Sequence, residues 1–338
     1  MKISVFGSGA WGTAVALVLR DNGHALTLWS KFEEETEILR NTRENQLLAG
    51  VNLPEDIIMT SDIGAASHNA EAAVIAVPSF AVRETVKELY GRLGKSCIVI
   101  CVSKGIENDT SSLFTDIIRD ALGDQMSIAS LSGPTHAEEV ALRIPSACVA
   151  ASKDLSVAEQ VQELFMNEYF RVYTSTDVVG VELGAALKNV IALSAGICDG
   201  LGYGDNTIAM LMTRGLAEMA RLCVAMGGHK ETLAGLAGLG DLIVTCGSRH
   251  SRNRRAGVLI GKGRSAEAAM REVGAVVEGY YAAKAARELS GKTGVSMPIC
   301  LEAYNVLYEG KNPLAAMSEL MGRSGKSEQA TGGETWVI

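Results

Sequence analysis

The chain has 338 residues, 47% apolar and 21% charged, enough apolar material for two domains with separate cores and too ordered a composition for a disordered protein. A formal net charge of -8 speaks against nonspecific binding to nucleic acid or anionic membrane, and no uninterrupted apolar run approaches the roughly 18 residues of a membrane span. Residues 14–19 are apolar, but glycines interrupt the first 20 residues and no small-residue cleavage site follows a charged start, so no secretory signal is read and the chain is expected in the cytoplasm.

Lys2-Ile3-Ser4-Val5-Phe6 is a β-rich run that leads directly into Gly7-Ser8-Gly9-Ala10-Trp11-Gly12 and then into helical composition over residues 13–20. Strand, G-x-G-x-x-G, helix is a dinucleotide-binding arrangement. Gly7 permits the tight turn, Gly9 lets a pyrophosphate approach the backbone, and Gly12 lets helix and strand pack closely. The helix start adds free N–H groups and a positive dipole end. Residues 25–29 read as the second strand. Beyond it an NAD-preferring site carries an acidic residue for the ribose 2′-hydroxyl, whereas Ser30 and Lys31 stand here. A hydroxyl and a cation suit a 2′-phosphate, so NADPH is the expected cofactor, with NADH as the alternative. Glu33 to Glu35 come later and are expected to face solvent.

Strand-like runs continue at residues 57–60, 72–77, 97–102, 127–131 and 147–151, with helical runs notably at 80–90, 113–121 and 157–165. Apolar strands alternating with helices predict a parallel sheet covered on both faces, with ligands beyond the carboxyl ends of its strands. The residues at those ends are Pro78-Ser79, Ser103-Lys104-Gly105 and Ser132-Gly133-Pro134-Thr135-His136-Ala137-Glu138. Pro134 fixes a helix start and aims its amides into the crevice. Lys104 reads equally as a ligand contact or a solvent-facing strand end. His136 has no evident carboxylate partner and reads as a satisfied structural histidine.

From residue 177 the strand signals fade, and helical runs follow at 181–198, 209–226, 267–273, 279–289 and 297–308. The first is apolar or small on every face from Leu183 to Cys198, and Lys188 is its only charge. Desolvation disfavours an ammonium there, so its pKa falls toward neutrality unless a carboxylate holds it charged. The alternatives are a lysine that snorkels to a helix edge or joins a structural salt bridge. Two polar insertions interrupt the helices. Gly238-Leu239-Gly240-Asp241-Leu242-Ile243 sets Asp241 in an apolar, glycine-rich turn, where it wants a cation, Lys188 being the natural one, or else caps a helix. Ser248-Arg249-His250-Ser251-Arg252-Asn253-Arg254-Arg255 has four arginines in eight residues, either a solvated basic face or, beside a nucleotide site, a phosphate clamp. The seven cysteines are scattered and never spaced C-x-x-C, so they read as buried free thiols. The five histidines form no ligand pattern, and no metal site is expected.

With these residues the chain resembles NAD(P)-dependent glycerol-3-phosphate dehydrogenase of the bacterial type. The resemblance rests on Gly7 to Ala14, Val102-Ser103-Lys104-Gly105-Ile106-Glu107, Leu131 to Ala137, Glu182-Leu183-Gly184-Ala185-Ala186-Leu187-Lys188-Asn189, Ala237 to Leu242, Ser251-Arg252-Asn253 and Val276-Val277-Glu278-Gly279, in the family's order. It implies a doubly wound α/β Rossmann domain over residues 1–177, an all-α substrate and catalytic domain over 178–322 like that of 6-phosphogluconate dehydrogenase, and leaves 323–338 as a loose tail. It implies reversible hydride transfer between NAD(P)H and dihydroxyacetone phosphate, giving sn-glycerol 3-phosphate for phospholipid synthesis. Lys188 would be the acid/base, with Asp241 orienting it. Lys104, Gly133, Thr135, Lys188, Asp241, Ser251, Arg252 and Asn253 would contact substrate. Gly7, Gly9, Ala10, Trp11, Gly12, Lys31, Lys104, Ala137, Arg252, Val276 and Glu278 would contact the cofactor. Ala10 stands where many members have Ser, and Leu48 replaces a frequent Tyr. A homodimer is left open; no nucleic-acid partner and no membrane insertion are implied. A relative acting on a 3-hydroxy acid or ketopantoate would lack the Ser251-Arg252-Asn253 spacing, and a non-catalytic NADPH sensor would have lost Lys188 or Asp241.

Overall fold

The structure, a computed structural model, describes residues 1–325, 327 and 328. Most of the segment read as a loose tail lies outside the described residues. The first half runs β1 (Lys2–Phe6), α1 (Ala10–Asp21), β2 (Ala25–Trp29), α2 (Glu33–Thr42), β3 (Ile58–Thr60), α3 (Ile63–Ser67), β4 (Ala72–Ile75), α4 (Val82–Glu88), β5 (Ile98–Cys101), α5 (Phe114–Leu122), β6 (Ser127–Ser132), α6 (Ala137–Ala141), β7 (Ser146–Ala151), α7 (Leu155–Phe165) and β8 (Phe170–Ser175). The strands make one sheet in the order β3-β2-β1-β4-β5-β6-β7-β8. The chain starts at the centre, winds outward to β3 and returns to lay β4 beside β1. That reversal opens a crevice beyond the carboxyl ends of β1 and β4, where the Gly7 loop and Pro78 emerge.

The alternation of side chains along a strand explains the two cores. Ile3 and Val5 of β1 point to one face, packed with Ala14 and Val18 of α1. Phe6 points to the other, with Trp29 and Ile75. Strands covered on both sides carry apolar residues on both, which is why their sequence reads as continuous rather than alternating.

The sheet is not wholly parallel as expected. β1 to β6 pair parallel, but β7 runs antiparallel to β6, and β8 is parallel to β7. The reason is reach: five-residue α6 advances only ~7.5 Å, too little to carry the chain back along a six-residue strand of ~20 Å. β8 is absent from the expected strands. Its residues alternate, Phe170 and Val172 buried and Arg171 and Tyr173 exposed, as an edge strand's do.

The second half is helical: α8 (Val178–Gly200), α9 (Asp205–Ala225), α10 (Lys230–Leu233), α11 (Asp241–Gly247), α12 (Arg252–Gly261), α13 (Ala266–Val273), α14 (Glu278–Thr293), α15 (Pro298–Tyr308) and α16 (Pro313–Met321). α8 is the axis of this domain, buried from Gly180 to Cys198 and wrapped by the others. By length and composition it would cross a membrane; here its apolar surface is spent on protein. Both polar insertions are more ordered than their sequences suggest. The glycine-rich turn is a π-helical turn, Leu236–Gly240, that runs into α11, and the arginine segment opens α12. Glycines bring α8 and α12 into backbone contact. A Cβ on Gly196 would sit 2.1 Å from the Arg254 carbonyl oxygen, and one on Gly257 would sit 2.0 Å from that of Leu193. All seven cysteines are buried and unbridged.

Candidate active site

The crevice between the halves gathers side chains from four segments. Lys188 comes from the middle of α8, Lys104 from the loop after β5, the 133–136 loop from the end of β6, and Asp241 from the first turn of α11. Asp241 is the centre. Its Oδ1 lies 2.6 Å from Lys188 Nζ and its Oδ2 lies 2.9 Å from Lys104 Nζ. With 2% of its side chain exposed against 6% for Lys188 and 17% for Lys104, the carboxylate is enclosed by the cations it pairs with. Burial alone would raise the Asp241 pKa, but the two ammoniums outweigh it and hold the carboxyl below its ordinary value. Lys188 goes the other way: burial lowers its pKa to about 8, against the opposing pull of Asp241 and with the Lys104 charge adding to the fall.

The proton inventory of Lys188 is informative. An ammonium has three donors. One goes to Asp241, and one to Thr245 Oγ1 at 2.8 Å. Thr245 spends its own proton on the Asp241 carbonyl at 2.5 Å, so its oxygen is free to accept. One Lys188 N–H therefore remains for a ligand. Thr245 went unrecognised in the sequence because the segment around Asp241 read as a turn; as a helix, Asp-x-x-x-Thr places both on one face. Lys104 also donates to the Gly133 carbonyl at 2.8 Å and reaches Thr135 Oγ1 at 3.4 Å. Gly133 is required there, since a Cβ would come within 2.6 Å of Cys148 Cα. One buried and one partly buried cation on a single carboxylate leave an excess positive charge, which an anionic ligand would neutralise.

The arginine segment divides. Ser251 caps α12 by accepting the Arg254 N–H at 3.2 Å. Asn253 is a buried bridge, donating to Asn189 Oδ1 at 2.8 Å and accepting the Gly279 N–H at 2.8 Å. Its amide thereby ties α12 to α14 and to the residue after Lys188. Asn189 is a second group the sequence reading passed over. Arg254 pairs with Asp199, while Arg252 is exposed near Glu278.

At the nucleotide end, Gly7 has φ +123°, and its Cβ would stand 2.6 Å from the Ala76 carbonyl oxygen; one on Gly12 would strike the Gly7 oxygen at 2.0 Å. Above Gly9 nothing lies within 4 Å of a Cβ position, and no side chain caps the first amides of α1. That open, amide-lined space fits a pyrophosphate. Trp11, beside half-buried Ala10, donates its indole N–H to the Val102 carbonyl at 3.1 Å, linking this loop to the segment that leads from β5 to Lys104. Across the crevice Glu278 accepts the Ser79 N–H at 3.3 Å, and its second oxygen is buried without a partner. Burial raises its pKa. An orphaned acceptor facing this crevice also fits a hydroxyl-rich dinucleotide. Ala137 is buried at the start of α6 and Val276 half-buried before α14. Lys31 is exposed, 3.9 Å from Glu88. Glu33, Glu34 and Glu35 are exposed as expected, yet Glu35 turns back to accept the Ser30 hydroxyl at 2.8 Å, so that hydroxyl is engaged. Leu48 belongs to the core. His136 is not satisfied: its Nε2 is buried without a partner, and burial with the neighbouring lysine charges lowers its pKa.

Residues 2–158 match the family model described as NAD-dependent glycerol-3-phosphate dehydrogenase N-terminus, and residues 177–318 the corresponding C-terminus. A glycerol-3-phosphate dehydrogenase, NAD(P)+, of Thermoanaerobacter sp. (strain X514) is 52% identical over 328 residues, covering 97% of this chain and 99% of that one. One from Fusobacterium nucleatum is 50% identical over 330 residues, with 97% and 98% covered. The crystal structure of glycerol-3-phosphate dehydrogenase from Coxiella burnetii matches with a TM-score of 0.92 at 36% identity, covering 95% of this chain and 99% of that one.

Proposed function

Because the chain belongs to the NAD-dependent glycerol-3-phosphate dehydrogenase family, we propose that its crevice carries out the reversible reduction of dihydroxyacetone phosphate to sn-glycerol 3-phosphate through Lys188. The observation that carries the proposal is the enclosed Lys188 ammonium with one N–H uncommitted beside an excess of positive charge. A nicotinamide cofactor, NADPH or NADH, would supply the hydride for C2 of the substrate in reduction and, in its oxidised form, accept it in the reverse direction. In the reducing direction Lys188 polarises the C2 ketone and gives its proton to that oxygen; in the oxidising direction the neutral amine removes it. Asp241 keeps Lys188 oriented and able to hold a proton. Lys104, anchored on Gly133 and Asp241 with Thr135 at its side, lines the substrate's path. Arg252 and the free hydroxyl proton of Ser251 take the phosphate, and Asn253 holds the start of α12 against Asn189, fixing C2 near Lys188. Gly7, Gly9, Ala10, Trp11 and Gly12 cradle the pyrophosphate. Lys31 faces the ribose, and Ala137, Val276 and Glu278 line the nicotinamide side. We place the domain division at residues 177 and 178, and the product in phospholipid synthesis. A cytoplasmic homodimer completes the reading; the seven free thiols support the compartment.

The direct test is reduced-nicotinamide absorbance with dihydroxyacetone phosphate, first with NADPH and then with NADH; no consumption of either refutes the proposal. Arg252→Ala is expected to raise the Michaelis constant for the phosphorylated substrate by roughly ten- to a hundredfold, the worth of a hydrogen bond to a charged group. Unchanged constants for substrate and cofactor would remove Arg252 from the clamp. The pH dependence has opposite signs in the two directions. With the Lys188 pKa near 8, turnover in reduction falls as pH rises through about 8, where the donor proton is lost, and turnover in oxidation rises there. Profiles sloping the same way in both directions would exclude Lys188 as the proton-exchanging group.

A further inference from the structure

Glu182 is a buried carboxylate that the chemistry above does not use. It lies on α8, about 9 Å along the helix axis before Lys188 at 1.5 Å per residue, and it is 4% exposed. Its hydrogen bonds come from neutral donors on the sheet domain. Thr115 Oγ1 donates to Oε2 at 2.8 Å, and the Thr115 N–H lies 3.2 Å from Oε1 and 3.4 Å from Oε2. Ser130 of β6 lies beside the same carboxyl. A carboxylate held by neutral groups is an expensive way to fill a seam; an apolar residue of similar volume would pack there at lower cost. What it supplies instead is direction. Apolar contacts tolerate rotation of a helix about its axis, whereas bonds to one hydroxyl and one N–H do not.

The segment that Glu182 grips has further fastenings. Between Lys104 and Thr115 the chain crosses from the sheet domain into the helical one, where Ile106 and Leu113 join the core around α8. Ser111, buried at φ +60°, donates to Glu288 at 2.9 Å, and Lys292 of α14 donates to Ser111 Oγ at 3.1 Å and to the Thr110 carbonyl at 3.0 Å. The loop that begins with one site lysine is thus tied to the helical domain at several points, and it ends on the helix that carries the other.

We infer that Glu182 is a positioning residue: its bonds to Thr115 set the rotation of α8, and so the direction in which Lys188 presents one N–H to Asp241 and its free N–H to the substrate. This inference rests on the dehydrogenase reading above. It is tested with Glu182→Gln, Thr115→Val, Thr115→Ser and the double variant Glu182→Gln/Thr115→Val, measuring turnover, both Michaelis constants and the unfolding temperature. Glu182→Gln should lower kcat by on the order of tenfold, since a small misplacement of a reacting group is costly, with the NADPH constant unchanged because the Gly7–Gly12 loop is untouched. Thr115→Val should lower kcat by less, Thr115→Ser should restore it, and the double variant should be no worse than Glu182→Gln alone. A lowered unfolding temperature with wild-type kcat in both Glu182→Gln and Thr115→Val would overturn the inference by reducing Glu182 to a structural group. Should Glu182→Gln fail to fold, the kcat of Thr115→Val against Thr115→Ser decides by the same criterion. A wild-type chain that consumes neither NADPH nor NADH with dihydroxyacetone phosphate overturns the dehydrogenase reading, and this inference with it.

Discussion

Lys188→Ala is expected to lower turnover by on the order of a hundredfold or more in both directions, the usual share of a positioned acid/base group, while NADPH binding stays close to wild type. Lys188 touches Asp241 and Thr245, not the Gly7–Gly12 loop, so its loss leaves the nucleotide end of the crevice intact. Truncation also leaves Asp241 with Lys104 as its remaining cation, which is why the carboxylate survives in the variant. Lys188→Met separates charge from volume, because it fills the same space in α8 without a proton to exchange. The check is steady-state turnover beside a direct titration with NADPH. Near-normal turnover in either variant ends the assignment of Lys188.

Asp241→Asn is expected to act on stability and on chemistry together. The amide keeps the shape of the carboxylate but removes the one negative charge between two enclosed cations. Breaking a buried ion pair from one side costs about 3 kcal/mol or more. Lys188 has a way to relieve part of that cost, which is to lose its proton. Burial already lowers its pKa to about 8, with Asp241 the leading opposing influence, so without the carboxylate the amine titrates lower still. The expected result is a less stable protein whose reducing activity at neutral pH falls by roughly a hundredfold, with the pH profile of reduction displaced toward acid. Denaturant unfolding and a pH–rate profile check the two parts separately. A profile that does not move would mean that Asp241 does not control the amine.

Much of this arrangement is legible in the residues, and the gaps have physical causes. Gly7 and Gly12 can be placed because each answers a geometric demand that no side chain meets, and the meeting of Lys188 with Asp241 follows from the cost of burying either alone. Composition misleads where context overrides it. The short α6 turns β7 antiparallel, and an edge strand such as β8 has too few buried positions to stand out. Around Asp241 the glycines suggest a turn, and that hides the helical spacing that brings Thr245 to Lys188. Asn253 shows a different gap: an amide beside arginines suggests a ligand donor, and nothing local reveals that the same side chain also ties Asn189 to Gly279 while keeping one amide N–H uncommitted. Partners far apart in sequence, such as Glu182 and Thr115, carry no local signal at all.

The glycine contacts between α8 and α12 have a metrical consequence. Main chain meets main chain at Gly196 and Gly257, with no room for even a methyl group, so the spacing of α8 and α12 is set by backbone contact rather than by side-chain packing. If Lys188 and Arg252 hold the two ends of the substrate as proposed, one with an extra carbon between carbonyl and phosphate would have to buckle or leave one end unheld, and the two helices would act as a calliper, selecting by length before any side chain selects by charge.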